Sequence, residues 1–318
     1  NGGTLNVSSL ANGGTASNIG ASTNAAGNLV LGGGILQYTG ASAATDRNYT
    51  LTAGTTSSLG VSSAAASLTV GGASAATTGA LTKLGDGTLT LTGANANTGT
   101  TTIRAGTLQV GNGGATGNLG TGAVVNLGKL AFNRNNALTS ANVVSSFGEL
   151  IQQGSGTTTL TGANTYTGAT TVSAGTLQLG AANRIADASA VTVASGATFN
   201  LANFSETVGS IAGAGNITLG SGTLTSGGNN STTTFAGVAS GTGGITKAGT
   251  GTLTLSGANT YTGVTSIGSG TLVAANASAL GAASGGTTVA AGATLNVANV
   301  AIAGEPITLN GAGVAGAG

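Results

Sequence analysis

The chain lacks several residue types on which common protein chemistry depends. It has no cysteine, histidine, methionine or tryptophan, and Pro306 is its single proline among 318 residues. Disulfide bonds, cysteine nucleophiles, histidine-based catalysis and Cys/His metal centres are therefore excluded. The absence of sulfur is compatible with an exposed, oxidising location. Because proline cannot donate to a strand ladder, we expect Pro306 at a strand start or at a corner.

Charge is also scarce. Charged residues make up 4% of the chain, against a usual value of about 25%. Seven basic and six acidic residues give a net charge of +1, and no basic patch is present. A nucleic acid is therefore not a predicted partner. No run of about 18 apolar residues occurs, so no transmembrane segment is predicted in this chain.

The few carboxylates are too dispersed to predict an active site. Asp187 and Glu206, 19 residues apart, are the one acidic pair at a spacing that would stack them on neighbouring coils. Enzymes that cleave polysaccharides need paired acids or acid/base clusters, so such an enzyme is a remote alternative. We predict no enzyme activity and no catalytic, cofactor-binding or metal-binding residue. The adjacent charges Asp46 and Arg47 predict a local ion pair or a solvated loop.

Glycine is abundant, with 61 residues, and it delimits a recurring unit. The unit reads GTLTLTGANANTG at 87–99, GTTTLTGANTYTG at 156–168 and GTLTLSGANTYTG at 251–263. Alternation of apolar and polar residues is typical of a strand with one buried face. We expect glycine at the corners between strands, because turns often need a positive φ.

The inward residues of each copy recur at about 20 residues, which suits one coil of a β-solenoid. They are Leu89, Leu108 and Leu130 in the first copy, Thr158, Leu177 and Phe199 in the second, and Leu253, Leu272 and Leu295 in the third. The pattern predicts an all-β, parallel solenoid of roughly 14–15 coils of about 19–23 residues. We predict one continuous solenoid over 1–318, a segment or subunit of a longer array, with repeat cores at 79–132, 148–201 and 243–297.

Two polar positions of the unit are candidate site residues. Asn95, Asn164 and Asn259 follow the same Gly-Ala pair and would form either a ligand-binding ridge or corners held by the side-chain amide. The corner role is the favoured interpretation. Tyr166 and Tyr261 are weaker binding candidates, because an outward ring could stack on a sugar. The alternative is a partly buried ring that covers a corner and keeps its hydroxyl in water.

Two long segments carry a resemblance to a known family. The residues GTGTLTLSGANTYTGVTSIGSGTLVAAN at 249–276 and GSGTTTLTGANTYTGATTVSAGTLQLG at 154–180 resemble the autotransporter-associated β-strand repeat, also called the passenger-associated transport repeat. The first copy departs from it at Ala96 and Asn97, where the others have Thr-Tyr. The resemblance implies a right-handed parallel β-helix in a passenger that lies outside the cell, attached to the outer membrane through a region not present in this chain.

The function expected from these observations is an extracellular structural rod or fibre at the cell surface. An adhesin that binds a carbohydrate or a cell through outward Tyr and Asn side chains is the alternative. An ice-binding solenoid is a remote alternative. It is suggested by runs such as Thr88-Leu-Thr90, whose hydroxyl groups could form a flat array. The expected partners are other copies stacked end to end or further coils of a longer chain, and alternatively a glycan or cell-surface ligand.

Overall fold

Short parallel strands stacked coil upon coil make up nearly all of the regular structure. The computed structural model describes residues 2–311, and these form an all-β parallel β-solenoid of about 14 turns. This confirms the fold class predicted from the repeat spacing. The chain divides into an N-terminal unit, Asn1–Gly156, and a C-terminal unit, Thr157–Gly318. The prediction of a single continuous solenoid stays a prediction.

The N-terminal unit contains the strands β1 to β16 and a single turn of 3-10 helix at Ala26–Asn28. The strands are β1 (Thr4–Val7), β2 (Val30–Leu31), β3 (Ile35–Tyr38), β4 (Ala43–Thr45), β5 (Thr50–Leu51), β6 (Thr56–Val61), β7 (Ser67–Val70), β8 (Ala80–Leu84), β9 (Thr88–Leu91), β10 (Thr101–Ile103), β11 (Thr107–Val110), β12 (Val124–Asn126), β13 (Lys129–Phe132), β14 (Leu138–Ser140), β15 (Val144–Ser145) and β16 (Glu149–Gln152). One face has the order β1-β3-β6-β8-β10-β12-β15, another has the order β4-β7-β9-β11-β13-β16, and β2 pairs with β5.

The C-terminal unit contains the strands β17 to β34. They are β17 (Thr157–Leu160), β18 (Thr170–Val172), β19 (Thr176–Leu179), β20 (Ala190–Val193), β21 (Thr198–Asn200), β22 (Glu206–Val208), β23 (Ser210–Gly213), β24 (Asn216–Gly220), β25 (Leu224–Ser226), β26 (Thr233–Phe235), β27 (Ala239–Gly241), β28 (Ile245–Lys247), β29 (Thr252–Leu255), β30 (Thr265–Ile267), β31 (Thr271–Ala274), β32 (Thr287–Val289), β33 (Thr294–Val297) and β34 (Ile307–Leu309). Its three faces run in the orders β17-β19-β21-β24-β27, β18-β20-β23-β26-β29-β31-β33 and β22-β25-β28-β30-β32-β34.

The core is a set of apolar columns that run through the stacked coils. Leu108 pairs with Leu89 on one side and with Leu130 on the other, and all three side chains are fully buried. The same register joins Leu177 to Thr158 and to Phe199. These columns confirm the predicted inward spacing. Each fully buried leucine of this kind contributes about 1.5–3 kcal/mol relative to an exposed one.

The third copy follows the same register but is less well covered at its last coil. Leu272 pairs with Leu253 and with Leu295, as the spacing predicts. Val297 pairs with Ala274 in that coil, yet its side chain is 41% exposed. Pro306 directly precedes β34, and its carbonyl oxygen accepts a hydrogen bond from the Thr287 N–H at 2.8 Å. The expectation that proline would stand at a strand start is confirmed.

Close contact between coils is a second reason for the high glycine content. Gly249 has a φ of 66°, as expected of a corner that needs the left-handed region. Gly237 has no such requirement, but a Cβ at Gly237 would overlap the carbonyl oxygen of Gly215 in the coil before it. A Cβ at Gly257 would overlap the carbonyl oxygen of Gly237 in the same way. Backbone therefore lies directly against backbone from coil to coil at this corner.

We expect Gly237→Ala to lower the free energy of unfolding by about 3 kcal/mol, because the added methyl group must push two coils apart. Gly228→Ala is the matched control in the same unit, since a Cβ there meets nothing within 4 Å. Its effect should lie within about 0.5 kcal/mol. Urea unfolding of both variants makes the comparison, and equal stability of the two would contradict the close contact between coils.

Candidate functional site

The repeated asparagines are buried links between coils. Asn95, Asn164 and Asn259 are 4%, 7% and 2% exposed. The Asn259 Oδ1 atom accepts a hydrogen bond from the Ala239 N–H at 2.8 Å, and its Nδ2 donates to the Ala279 carbonyl oxygen at 2.6 Å. One amide group therefore bridges the coil before it and the coil after it. Such an amide is not free to form an outward ridge.

The other two asparagines make the corresponding contacts. Asn95 Oδ1 accepts from the Ser74 N–H at 2.9 Å, and its Nδ2 donates to the Asn118 carbonyl oxygen at 2.8 Å. Asn164 Nδ2 donates to the Arg184 carbonyl oxygen at 2.8 Å. Every one of these partners lies about one coil away in sequence. The geometry is that of a side-chain amide that completes the backbone ladder at a corner.

The expectation of outward tyrosine rings is wrong. Tyr166 and Tyr261 have no exposed surface. The Tyr166 hydroxyl lies 2.6 Å from Thr170 Oγ1, and the Tyr261 hydroxyl lies 2.5 Å from Thr265 Oγ1. A threonine four residues along the chain thus replaces water as the partner of the hydroxyl, so the alternative of a wet hydroxyl is wrong as well. Burial raises the pKa of both phenols well above the usual value.

Burial of these side chains rules out stacking on a sugar at either position. An aromatic ring recognises a sugar with an accessible face, and neither ring has one. In the first copy the tyrosine slot holds Asn97, which is 2% exposed and whose Oδ1 atom accepts from Ser74 Oγ at 3.0 Å. A buried residue therefore occupies this position in all three copies, where it packs at the corner.

Two buried lysines are members of the repeat that the sequence reasoning missed. The Lys83 Nζ atom donates to the carbonyl oxygens of Leu84, Gly85 and Ala105 at 3.0, 2.6 and 3.1 Å. The Lys247 Nζ atom donates to those of Ala248, Gly249 and Ser269 at 2.6, 2.8 and 3.2 Å. Each ammonium group joins a corner of its own coil to the next coil.

The environment of these lysines is set by carbonyl groups and low solvent access. Both residues are at most 1% exposed. Burial lowers the pKa of Lys83 to about 8, although the nearby Asp86 favours the charged form, and burial also lowers the pKa of Lys247. In the second copy Gln152 has the same place, and its Nε2 donates to the Gly154 and Gly156 carbonyl oxygens at 2.7 and 3.2 Å. The sequence does show that these three residues share one position of the repeat, because each stands four residues before the glycine that opens its unit.

The predicted ion pair of Asp46 and Arg47 does not form, and the alternative of a solvated loop holds for the exposed Asp46 but is wrong for Arg47. Arg47 is 1% exposed, and its guanidinium group donates to chain oxygens between residues 11 and 22. Asp46 Oδ1 instead accepts a hydrogen bond from the Gly13 N–H at 2.7 Å. The two neighbouring side chains therefore hold different parts of the N-terminal loop. Five charge-assisted contacts explain how a guanidinium group is buried without a carboxylate.

The acidic pair does not form two matched catalytic groups. Glu206 is 1% exposed, and its carboxylate accepts hydrogen bonds from the Arg184 and Ile185 N–H groups at 3.0 and 3.1 Å. Burial raises the pKa of Glu206 to about 7, these N–H groups oppose the rise, and the charge of Asp187 adds to it. Asp187 itself is exposed. Within residues 2–311 no group of three or more acidic, histidine or cysteine side chains could hold a metal ion.

The segments that match a known protein family are the three that contain the repeated unit. The passenger-associated-transport-repeat family matches residues 81–110, 150–179 and 245–274, each inside one of the predicted repeat cores. Three separate segments of the chain are thus similar to the passenger-associated transport repeat. The matched segments contain the buried Lys83, Gln152 and Lys247 and the three bridging asparagines. No solved structure matches the chain.

A curated relative shares part of these repeats. The adhesin BmaC autotransporter of Brucella suis biovar 1 (strain 1330) is 48% identical over 115 residues, or 36% of this chain. The aligned part is 3% of the length of that adhesin. No helix among residues 2–311 has the length and apolar character needed to cross a membrane.

We expect Lys247→Met to lower the free energy of unfolding by about 2 kcal/mol, because three buried carbonyl oxygens lose a charged donor. Lys247→Gln should cost less, since Gln152 fills the same place in the second repeat. Lys129→Met is the control, because Lys129 is about half exposed in its ion pair with Glu149 and such pairs contribute about 0.5 kcal/mol. Urea unfolding measures all three, and a harmless Lys247→Met would refute the role of the ammonium group.

Proposed function

We propose that this chain is a structural, non-enzymatic segment of an extracellular autotransporter passenger. In this proposal the stacked coils form a rod or fibre at the cell surface and hold other parts of the passenger away from the membrane. The match to passenger-associated transport repeats and the similarity to a protein named as an autotransporter adhesin support it.

The observation that carries the proposal is the burial of the repeat's polar residues. The asparagine, tyrosine and lysine positions that recur in the repeats all bond to neighbouring coils or to their own corner. A repeat that used these residues to bind a ligand would present them to solvent. Their use inside the coil supports a repeat whose role is architecture.

The absence of catalysis is part of the same proposal. Titratable groups that enzymes use as acid and base must be positioned together and accessible to substrate. Glu206, whose pKa burial raises to about 7, is inaccessible and held by backbone N–H groups. The similarity to an adhesin also favours a role in attachment over a role in chemistry.

Stacking on further coils is the interaction that the strand edges favour. Among the described residues, β1 pairs with β3 alone and β34 pairs with β32 alone, which leaves one backbone edge of each strand available. Leu5 and Leu309 on these strands are 52% and 68% exposed. We propose that further coils, from the same chain or from another copy, pair with these edges.

Adhesion is a second candidate function. The named relative is an adhesin, which favours a surface role in contact with a host cell or a glycan. Tyr166, Tyr261 and the repeated asparagines are not part of this candidate site, because their side chains are buried. An adhesive site would have to be formed by other residues.

The test is antibody labelling of intact cells that produce the protein, with an antibody raised against this folded chain. The proposal predicts equal labelling of intact and permeabilised cells, because a passenger segment lies outside the outer membrane. Antibody against a cytoplasmic protein is the control and should label permeabilised cells alone. Labelling of this chain that requires permeabilisation would contradict the proposed location.

A further inference from the structure

One cavity of the N-terminal unit has the character of a binding site. Its volume is about 250 Å³, and it is lined by residues between Val110 and Asn142. Leu138 and Ala141 supply accessible apolar surface, while Asn118, Arg134 and Asn142 supply polar groups. Small-ligand sites combine an apolar lining with a few placed polar groups in this way. The volume is slightly below the usual range of about 300–1,000 Å³, which favours a ligand of one ring.

Asn118 offers an acceptor that nothing in the described part of the chain uses. Its Oδ1 atom is buried and has no hydrogen-bond partner there. Native structures rarely leave a buried polar atom unpaired, and a ligand hydroxyl group would complete it. The position of Asn118 is fixed, because its carbonyl oxygen accepts the hydrogen bond from Asn95 Nδ2 at 2.8 Å. The bridging asparagine of the first repeat thus places one wall of the cavity.

Arg134 fixes the same wall and brings a positive charge to the cavity. Its guanidinium group donates to the carbonyl oxygens of Ala115 and Gly117 at 2.6 and 2.9 Å and to Asn136 Oδ1 at 2.9 Å. None of the carboxylates in residues 2–311 lies within ion-pair distance of it. A guanidinium group has five N–H donors, so donors are left for an anion. A ligand carboxylate would be the natural partner.

These groups together suit one kind of ligand. The unpaired acceptor of Asn118 suits a hydroxyl group, and the guanidinium group suits a carboxylate. The apolar surface of Leu138 and Ala141 suits the C–H face of a ring. We propose that this cavity binds a single sugar residue that carries a carboxylate, such as the terminal unit of an acidic glycan. The site would add ligand recognition to the structural role proposed for the repeats, and it uses residues outside the matched repeat segments.

The test is calorimetric and NMR titration of the purified chain with D-glucuronic acid and with D-glucose. We expect glucuronic acid to bind with a Kd of about 1 mM, a value usual for one weakly held ring. D-Glucose should bind at least about tenfold more weakly, because it lacks the group that pairs with Arg134. No binding of glucuronic acid would overturn the proposal, and equal binding of both sugars would overturn the assignment of a carboxylate.

Asn118→Leu separates binding from folding. It removes the unpaired acceptor with little change in size, so the melting temperature should stay the same or rise while glucuronic acid binds about tenfold more weakly. Asn135→Leu is the matched control, since Asn135 is exposed and does not line the cavity. Thr121→Trp is a second variant, to be used if Asn118→Leu fails to fold. Thr121 is an exposed residue of the lining, so a tryptophan there should block the cavity. Unchanged binding in a folded lining variant would overturn the site.

Discussion

The structure depends on direct contact between the backbones of successive coils. Parallel strands bond to the coil before and the coil after, so each coil is complete only when its neighbours are present. The corners obey the same constraint, because a Cβ at Gly237 or Gly257 would overlap the carbonyl oxygen of the glycine in the coil before it. The high glycine content therefore follows from stacking distance as well as from positive φ. Apolar columns then fill the interior that the stacked coils enclose.

Polar residues inside such a solenoid satisfy backbone groups that the corners leave without a ladder partner. Asn259 bridges two coils through one amide, and Lys247 gathers three carbonyl oxygens at a corner. Buried polar groups are stable only when they are paired, so these residues are constrained as strongly as the leucines. This constraint explains why the most regular positions of the repeat are structural. In our proposal, ligand recognition falls to an irregular position, Asn118, whose side-chain oxygen has no partner in the neighbouring coils.

The sequence predicted the strand register well and the polar interior poorly. Period-two alternation and a spacing near 20 residues were sufficient to place Leu108 between Leu89 and Leu130. The same alternation places Lys83 and Lys247 on the inward face. A buried charge is not expected from sequence, however, because the carbonyl oxygens that accept its hydrogen bonds are known only from the structure. Tyr261 was misjudged because its partner, the Thr265 hydroxyl, comes into reach only when the corner folds. The cavity beside Asn118 depends on packing between coils and has no signature in the sequence.

Cysteine cross-linking of stacked positions tests the coil-on-coil register most directly, and the natural chain has no cysteine to interfere. Thr246 pairs with Thr225 on one side and with Ser266 on the other, on one outward column of the C-terminal unit. Neighbouring strands are about 4.8 Å apart, within the Cα separation of about 4.4–6.8 Å that a disulfide spans, whereas positions two coils apart are too distant. The account predicts rapid oxidation of the chain with cysteines at 225 and 246, and none of the chain with cysteines at 225 and 266. Equal oxidation of both, or oxidation of the second alone, would contradict the stacking.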